Sequence, residues 1–243
     1  MAATLPTAMP GSIRLHVDAP LSPGAAIAAS AQQAHYLGTV MRRGAGDTVN
    51  LFNGRDGEFV ARIEAVRRDR ATLRVERQLR APAPEPDLWL VFALLKRDAT
   101  DLVVQKATEL GVARLLPVTT ERSNTHRVNQ ERLASIATEA AEQSERLTVP
   151  HVQPPQPLAA VLADWPPDRR LLVAAERIDA PGISAGRGPL ALLVGPEGGF
   201  TPVELDVMRA RPFVTAVTLG PRILRAETAC IAGLALLQAV VCR

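Results

Sequence analysis

The alternation of hydrophobic and polar positions changes character near residue 88. Before it, short runs of alternating apolar and polar residues are separated by turns rich in Gly and Asp, a pattern typical of β-strands. Regularly spaced strands of this kind favour a small barrel. The pattern predicts strands over residues 12–17, 47–54, 58–66 and 70–78.

From residue 88 onward, runs that are apolar throughout alternate with segments of helical periodicity. Such strands indicate a parallel sheet that is covered on both faces, and therefore an α/β fold. The Pro-rich stretch 80–87 is predicted to be a stiff linker between a barrel domain, 1–79, and an α/β domain, 88–243. We predict strands over 88–95, 112–119, 170–176, 190–194 and 216–220, and helices over 98–111, 129–147 and 227–241.

Composition narrows the class of protein. The chain has 243 residues, of which 47% are hydrophobic, so it can bury a sizeable core. It has no apolar run of the length of a membrane span and no secretory signal pattern, which predicts a cytoplasmic protein. Cys230 and Cys242 lie in an apolar helical stretch without metal-ligand spacing, so we expect core residues and no metal.

The charge is nearly balanced overall but uneven along the chain. The formal net charge is +3, and residues 1–80 hold eleven Arg against seven acidic residues. An arginine excess alone does not specify nucleic acid. The aromatic content of 3% argues against a platform on which single-stranded bases stack.

A glycine-rich loop, "LLVGPEGGFT" at 192–201, follows a predicted buried strand and precedes a helix. Thr201, Pro202 and Glu204 mark the helix start, since Thr and Glu at this spacing form a capping box. A phosphate loop would need a Lys that is absent, and Glu197 would repel an anion. The dinucleotide pattern G-x-G-x-x-G also fails. A purely structural turn remains the alternative.

A second loop of the same kind, "LGPRILRAET" at 219–228, again joins a strand to a helix. Two such loops at the carboxyl edge of a sheet could wall a slot for one ligand. Glu197 and Glu227 favour a cation over a phosphate, which suits the sulfonium of S-adenosylmethionine. "GISAG" at 182–186 matches a hydrolase motif around Ser184, but it is predicted to lie in a loop and every His precedes it, so we reject that function.

Five stretches of the chain resemble the bacterial 16S rRNA (uracil-N3)-methyltransferases of the SPOUT superfamily. The resemblance implies a PUA-like β-barrel that helps to bind RNA and a SPOUT α/β domain with a parallel sheet and a C-terminal trefoil knot. It also implies a homodimer, S-adenosylmethionine as cofactor, and methylation of N3 of the uridine called position 1498 in the 16S rRNA of the small ribosomal subunit. The stretches are 35–47, 105–123, 139–150, 192–204 and 219–229.

The resemblance also implies three sets of site residues. Arg222 and Arg225 are the candidates to act in catalysis by holding the target base or its phosphate; the alternative is that they pair with Glu197 or Glu227 and brace the knot. The expected RNA contacts are His35, Arg42, Arg43, Arg122, Gln143 and Arg146. The expected cofactor contacts are Leu193, Gly195, Pro196, Glu197, Gly198, Leu219, Gly220, Ile223, Leu224, Arg225, Glu227 and Thr228.

Several alternatives stay open at this point. Glu142, Gln143 and Arg146 could line the base pocket. The alternative is that Glu139, Glu142 and Arg146 form a solvated helix face with an ordinary i,i+4 pair. Lys96 and Lys106 match the family without an assignable role. At the level of the whole protein, the rivals are a related knotted methyltransferase that acts on another RNA, and an RNA-binding protein that has lost catalysis.

Overall fold

A computed structural model describes residues 12–125, 127–175, 180–184 and 188–241. Cys242 and the end of the "GISAG" stretch lie outside these residues. The described chain divides into two compact units. The first holds the chain up to Pro84 together with Ala141–Val149, and the second holds Glu85–Ala140 and the chain from Pro150 onward.

The first unit is a five-stranded sheet in the order β1, β3, β4, β5, β2. β1 and β3 are parallel, and the other neighbours are antiparallel. No pairing among the described residues joins β1 to β2, so the PUA-like barrel is present as a half-barrel. The strands are β1 (Arg14–His16), β2 (Ala26–Ala29), β3 (Thr48–Asn53), β4 (Gly57–Val66) and β5 (Ala71–Arg80).

Irregular pairing curls this sheet around its core. The β4–β5 register shifts at three places, and bulges of this kind increase the local twist of a sheet. Helix α1 (Ala31–His35) and a π-helical turn over Tyr36–Val40 contribute Ala34 and Leu37 to the core of this unit, both fully buried. The hydrophobic pattern predicted β1, β3, β4 and β5 but not β2, whose four residues are all apolar and show no alternation. It also missed α1 and the π turn, which are too short for a helical period to show.

The second unit is a parallel sheet in the order β12, β10, β11, β6, β7, β8, with β9 paired to β7. Every described pairing in it is parallel, as predicted. The strands are β6 (Leu88–Ala93), β7 (Arg114–Thr119), β8 (His151–Val152), β9 (Gln156–Pro157), β10 (Arg170–Ala174), β11 (Leu190–Val194) and β12 (Val214–Val217). The helices are α2 (Arg97–Glu109), α3 (Gln130–Gln143), α4 (Leu158–Ala163), α5 (Pro202–Arg209) and α6 (Ala226–Val241).

The central strand β11 is buried along its whole length. On one face, its side chains join a cluster that includes Trp165 and Met208. Helix α6 packs on β11, and at Gly233 it comes so close that a Cβ atom there would lie 2.6 Å from Leu192 Cδ2. Cys230 on this helix is buried, as expected for a core residue. None of the described helices is long and apolar enough to span a membrane.

The predicted helix over 129–147 is too long. Asn129 does cap it, since its side-chain oxygen accepts the Arg132 N–H at 3.0 Å, but the helix ends at Gln143. Glu145 has a φ of 59°, a left-handed conformation that cannot continue an α-helix. The apolar periodicity extended the prediction to Leu147, which instead packs beyond the helix against Phe52 and Ala141 in the first unit.

A buried arginine orders the segment 141–149 within the first unit. Arg14 donates from Nη1 to the carbonyls of Ala141 (3.0 Å) and Glu142 (2.8 Å), and from Nη2 to that of Arg146 (2.8 Å). Its Nε donates to Glu58 Oε1 at 2.8 Å, and the Glu58 side chain is fully buried. A cation at the carbonyl end of a helix also compensates the helix dipole.

Candidate functional site

A cleft of about 520 Å³ opens in the second unit at the carboxyl ends of β11, β10 and β12. Open α/β sheets bind ligands at this edge, where loops leave neighbouring parallel strands. Ala174 and Ala175 at the end of β10 lie between the two predicted loops. The cleft is lined by Arg122, Ala174, Ala175, Val194, Gly195, Pro196, Glu197, Gly198, Gly199, Phe200, Leu205, Thr218, Leu219, Gly220, Pro221, Arg222, Ile223, Leu224, Ala226 and Ala229.

The first loop folds back on itself before α5 begins. The Gly199 N–H donates to the Pro196 carbonyl at 2.8 Å, and Gly199 has a φ of +66°. The capping box is present as predicted: Thr201 Oγ1 accepts the Glu204 N–H, and the Glu204 carboxylate accepts the Thr201 N–H. A Cβ atom at Gly195 would lie 3.0 Å from the Phe200 ring, so a larger residue here would displace this ring.

The loop that follows β7 holds the first cleft loop in place. Arg122 Nη1 donates to the Gly198 carbonyl at 2.8 Å, and its aliphatic stem covers the position where a Gly198 side chain would project. The Glu121 N–H donates to Glu204 Oε1 at 3.0 Å. Arg122, which the resemblance assigns to RNA, therefore lies on the rim of the cleft. No spacing in the sequence signals this contact, because Arg122 and Gly198 are far apart along the chain.

The second loop forms the opposite wall. Thr218 Oγ1 accepts the Gly220 N–H at 3.2 Å and donates to the Gly220 carbonyl at 3.1 Å, which fixes the turn. Gly220 has a φ of +126°, a conformation that L side chains rarely adopt. Ile223 projects into this space with 60% of its surface exposed, an apolar side chain available for contact with a ligand.

Most of the predicted cofactor residues lie together in this cleft, and four do not line it. Leu193 is fully buried in the core beneath the cleft. Arg225, Glu227 and Thr228 lie where α6 begins, outside the lining of the cleft. The lining residues from the prediction are Gly195, Pro196, Glu197, Gly198, Leu219, Gly220, Ile223 and Leu224.

Among the residues that the structure describes, the charged side chains at the cleft form no ion pairs with one another. Arg222 lines the cleft and is exposed, as Arg225 is beside it. Among the described residues, neither arginine forms an ion pair with Glu197 or Glu227, so the bracing alternative has no contact to support it. Burial, and then the charge of Glu227, raise the pKa of the Cys230 thiol, so this cysteine stays protonated and is no nucleophile.

The lining suits S-adenosylmethionine better than a phosphate ligand. Glycines leave backbone N–H and C=O groups accessible, apolar side chains can cover an adenine ring, and the Glu197 carboxylate attracts a cation. No lysine lines the cleft. In the part of the chain that the structure describes, no cluster of His, Cys, Asp or Glu could hold a metal ion.

The remaining predicted RNA residues belong to the first unit. His35, Arg42 and Arg43 are exposed at the end of α1 and beyond the π turn, and Arg42 has a φ of 51°. Gln143 is exposed at the end of α3. Arg146 is only 8% exposed, and its Nη2 donates to Thr148 Oγ1 at 2.8 Å, so much of this side chain is occupied within the unit.

Both parts of the sequence match known protein families. Residues 82–238 match the RNA methyltransferase domain family, and residues 30–76 match the RNA methyltransferase PUA domain family. Ribosomal RNA small subunit methyltransferase E from Rickettsia conorii is 34% identical over 231 residues, which cover 91% of this chain and 93% of that protein. The protein of the same name from Bacillus subtilis is 31% identical, covering 82% of this chain and 84% of that protein.

Solved structures agree with the sequence relatives. Ribosomal RNA small subunit methyltransferase E from Neisseria gonorrhoeae, in a crystal structure bound to S-adenosyl methionine, superposes with a TM-score of 0.85 at 29% identity, covering 94% of this chain and 97% of that one. A Legionella pneumophila methyltransferase in complex with the same cofactor has a TM-score of 0.81 at 29% identity, covering 94% and 97% of the two chains. The similarity therefore extends over both units.

Proposed function

This chain belongs to the RNA methyltransferase family, and from that premise we propose that it transfers the methyl group of S-adenosylmethionine to the RNA of the small ribosomal subunit. The observation that carries the proposal is the cleft at the ends of β10, β11 and β12, whose two glycine-containing loops suit a cationic cofactor. Relatives that cover nearly the whole chain bear the corresponding name or hold the cofactor.

Within the cleft, the two loops are the proposed cofactor contacts. The backbone from Gly195 to Gly198 binds from one side, and the backbone from Leu219 to Leu224 binds from the other. Arg122 positions the first loop through the Gly198 carbonyl. Arg225, Glu227 and Thr228 act from the start of α6, and Leu193 supports the loop from below without contact to solvent.

The finer proposal concerns the base that is methylated. We place the reaction at N3 of the uridine called position 1498 of 16S rRNA, as the resemblance implies. The bound cofactor supplies an electrophilic methyl carbon. Uracil must lose its N3 proton to solvent, and the resulting anion carries charge on its carbonyl oxygens until N3 takes the methyl group and the methyl–sulfur bond breaks. We propose that Arg222 and Arg225, which are exposed and form no ion pair with Glu197 or Glu227, stabilise that charge.

RNA contacts, assembly and location complete the proposal. His35, Arg42, Arg43 and Gln143 are exposed groups that can contact RNA, where arginines bind phosphates and orient the strand without specifying sequence. A homodimer, a C-terminal trefoil knot and a cytoplasmic location stay predictions from the resemblance and the sequence.

The test is base-level mapping of 16S rRNA from cells that lack this gene, with and without complementation. N3 methylation blocks base pairing, so reverse transcription stops at the modified uridine. We expect the stop to vanish on deletion and to return with the wild-type gene and with Arg209→Gln, an exposed arginine on α5 outside the cleft. We expect no return with Arg222→Ala or Arg225→Ala. A stop that deletion leaves unchanged would refute the substrate assignment.

A further inference from the structure

A second cavity, of about 300 Å³, lies in the same unit between the start of α2 and the start of α3. It contains none of the residues that line the first cleft. Three arginines and one aspartate contribute to its wall. The lining consists of Leu95, Arg97, Thr100, Asp101, Thr125, Arg127, Val128, Asn129, Arg132 and Leu133.

The charges of this cavity are not balanced. Arg132 forms an ion pair with Asp101, which leaves the charges of Arg97 and Arg127 uncompensated. Both of these arginines are exposed, and neither forms an ion pair with any residue that the structure describes. Two guanidinium groups at the wall of one concave surface suit the charge of a phosphate, an anion that arginine binds through paired N–H donors.

The backbone at the start of α2 also favours an anion in this cavity. The cavity includes the first turn of α2, where the N–H groups have no partner within the helix. Lys96 precedes this turn, and its side chain does not cap it. The N-terminal end of a helix favours an anion. The helix end and the two arginines therefore select the same class of ligand.

The position of the cavity indicates which phosphate it would take. The loop between β7 and α3 contributes Arg122 to the first cleft and Arg127 to this cavity. Five residues span at most about 18 Å even when extended. Phosphates on one nucleic-acid strand follow at about 3.4 Å of helix rise each, so the two sites are within reach of the same short strand.

We propose that Arg97 and Arg127 bind a backbone phosphate of the substrate RNA a few nucleotides away from the base that enters the cleft. This proposal rests on the proposed function, since it takes RNA as the ligand of the cleft. The cavity serves to orient the strand and carries no sequence specificity, because a phosphate is common to every nucleotide.

The test compares the double variant Arg97→Gln, Arg127→Gln with the matched control Arg209→Gln, Arg211→Gln. The control removes the same charge from exposed arginines outside both cavities. Binding of a short labelled single-stranded RNA is measured as a function of salt, and S-adenosylmethionine binding is measured by calorimetry. Losing the contact with one phosphate reduces the magnitude of the slope of log affinity against log salt by about 0.7, and this is the fall we expect for the double variant.

We expect the control to keep the wild-type slope and all proteins to keep the wild-type cofactor affinity. If the double variant loses cofactor binding, the single variants are measured instead, each with an expected fall of about half that size, because the other arginine still contacts the phosphate. An unchanged slope, or an equal fall in the control, would overturn the proposal. Polyglutamate serves as a probe for an acidic protein partner. A double variant that loses polyglutamate binding but binds RNA like the wild type would also overturn the proposal. If the slope falls in the double variant but the wild-type protein leaves 16S rRNA unmodified, the cavity binds an RNA phosphate and only the proposed function is refuted.

Discussion

Replacing Arg14 by methionine should destabilise the first unit much more than the loss of an exposed arginine. The Arg14 side chain is 4% exposed and binds Glu58, which is fully buried. It also supplies the donors for three carbonyls of the segment 141–149. Methionine keeps an apolar stem of similar length but removes every one of these donors. The matched control is Arg62→Met, which removes an exposed pair with Glu76 at 2.6 Å.

The magnitude follows from burial. Removing one partner of a buried ion pair typically costs about 3 to 5 kcal/mol, because the other charge is left uncompensated. Glu58 retains Arg80 and Asn50, which reduces this cost, but three carbonyls lose their donors, which adds to it. We therefore expect a loss of about 4 kcal/mol for Arg14→Met. For Arg62→Met we expect about 0 to 1 kcal/mol, the usual value of an exposed pair.

Urea unfolding followed by circular dichroism measures the difference. With a slope of about 2 kcal/mol per molar urea, the midpoint should fall by about 2 M in Arg14→Met. Hydrogen exchange of a peptide that covers residues 141–149 should accelerate in the same variant and stay unchanged in the control. If the two variants unfold within about 1 kcal/mol of each other, the buried network does not stabilise this segment and the reasoning is wrong.

Three further predictions concern single positions. Gly195→Ala should weaken S-adenosylmethionine binding about tenfold, which is about 1.4 kcal/mol, because the new methyl group would lie 3.0 Å from the buried Phe200 ring. Calorimetry measures this affinity, and a wild-type value would contradict the prediction. Gly233→Ala should lower the melting temperature, because a Cβ atom 2.6 Å from the buried Leu192 side chain costs about 2 kcal/mol, more than the gain in helix propensity of about 1 kcal/mol. A variant more stable than the wild type would refute this prediction. Burial, opposed in part by the charge of Asp18, lowers the pKa of His16 below 6.5, so the unfolded chain takes up the proton first and stability falls as the pH drops below 6.5. His16→Gln should remove the fall in stability below pH 6.5 that is due to His16. Unfolding curves measured over this pH range would refute the prediction if both proteins showed the same pH dependence.

The sequence by itself determined the features that depend on neighbouring residues. Four strands of the first unit (β1, β3, β4 and β5), the five longer strands of the second and the capped start of α5 each follow from a local pattern of apolar positions or from one spacing, Thr201 to Glu204. The two loops of the cleft were predicted in the same way, because a strand, a glycine turn and a helix start are consecutive in the chain. Even the exclusion of phosphate needed only the identity of Glu197 and the absence of a lysine.

Only the tertiary structure decided the features that join distant residues. The end of α3 at Gln143 follows from the left-handed backbone at Glu145 and from the Arg14 hydrogen bonds. Neither feature can be inferred from the apolar periodicity, which continues to Leu147. The contact of Arg122 with Gly198, like the second cavity, brings together side chains from separate elements. Periodicity records which face of an element is buried, whereas the partner on that face depends on how the strands and helices pack.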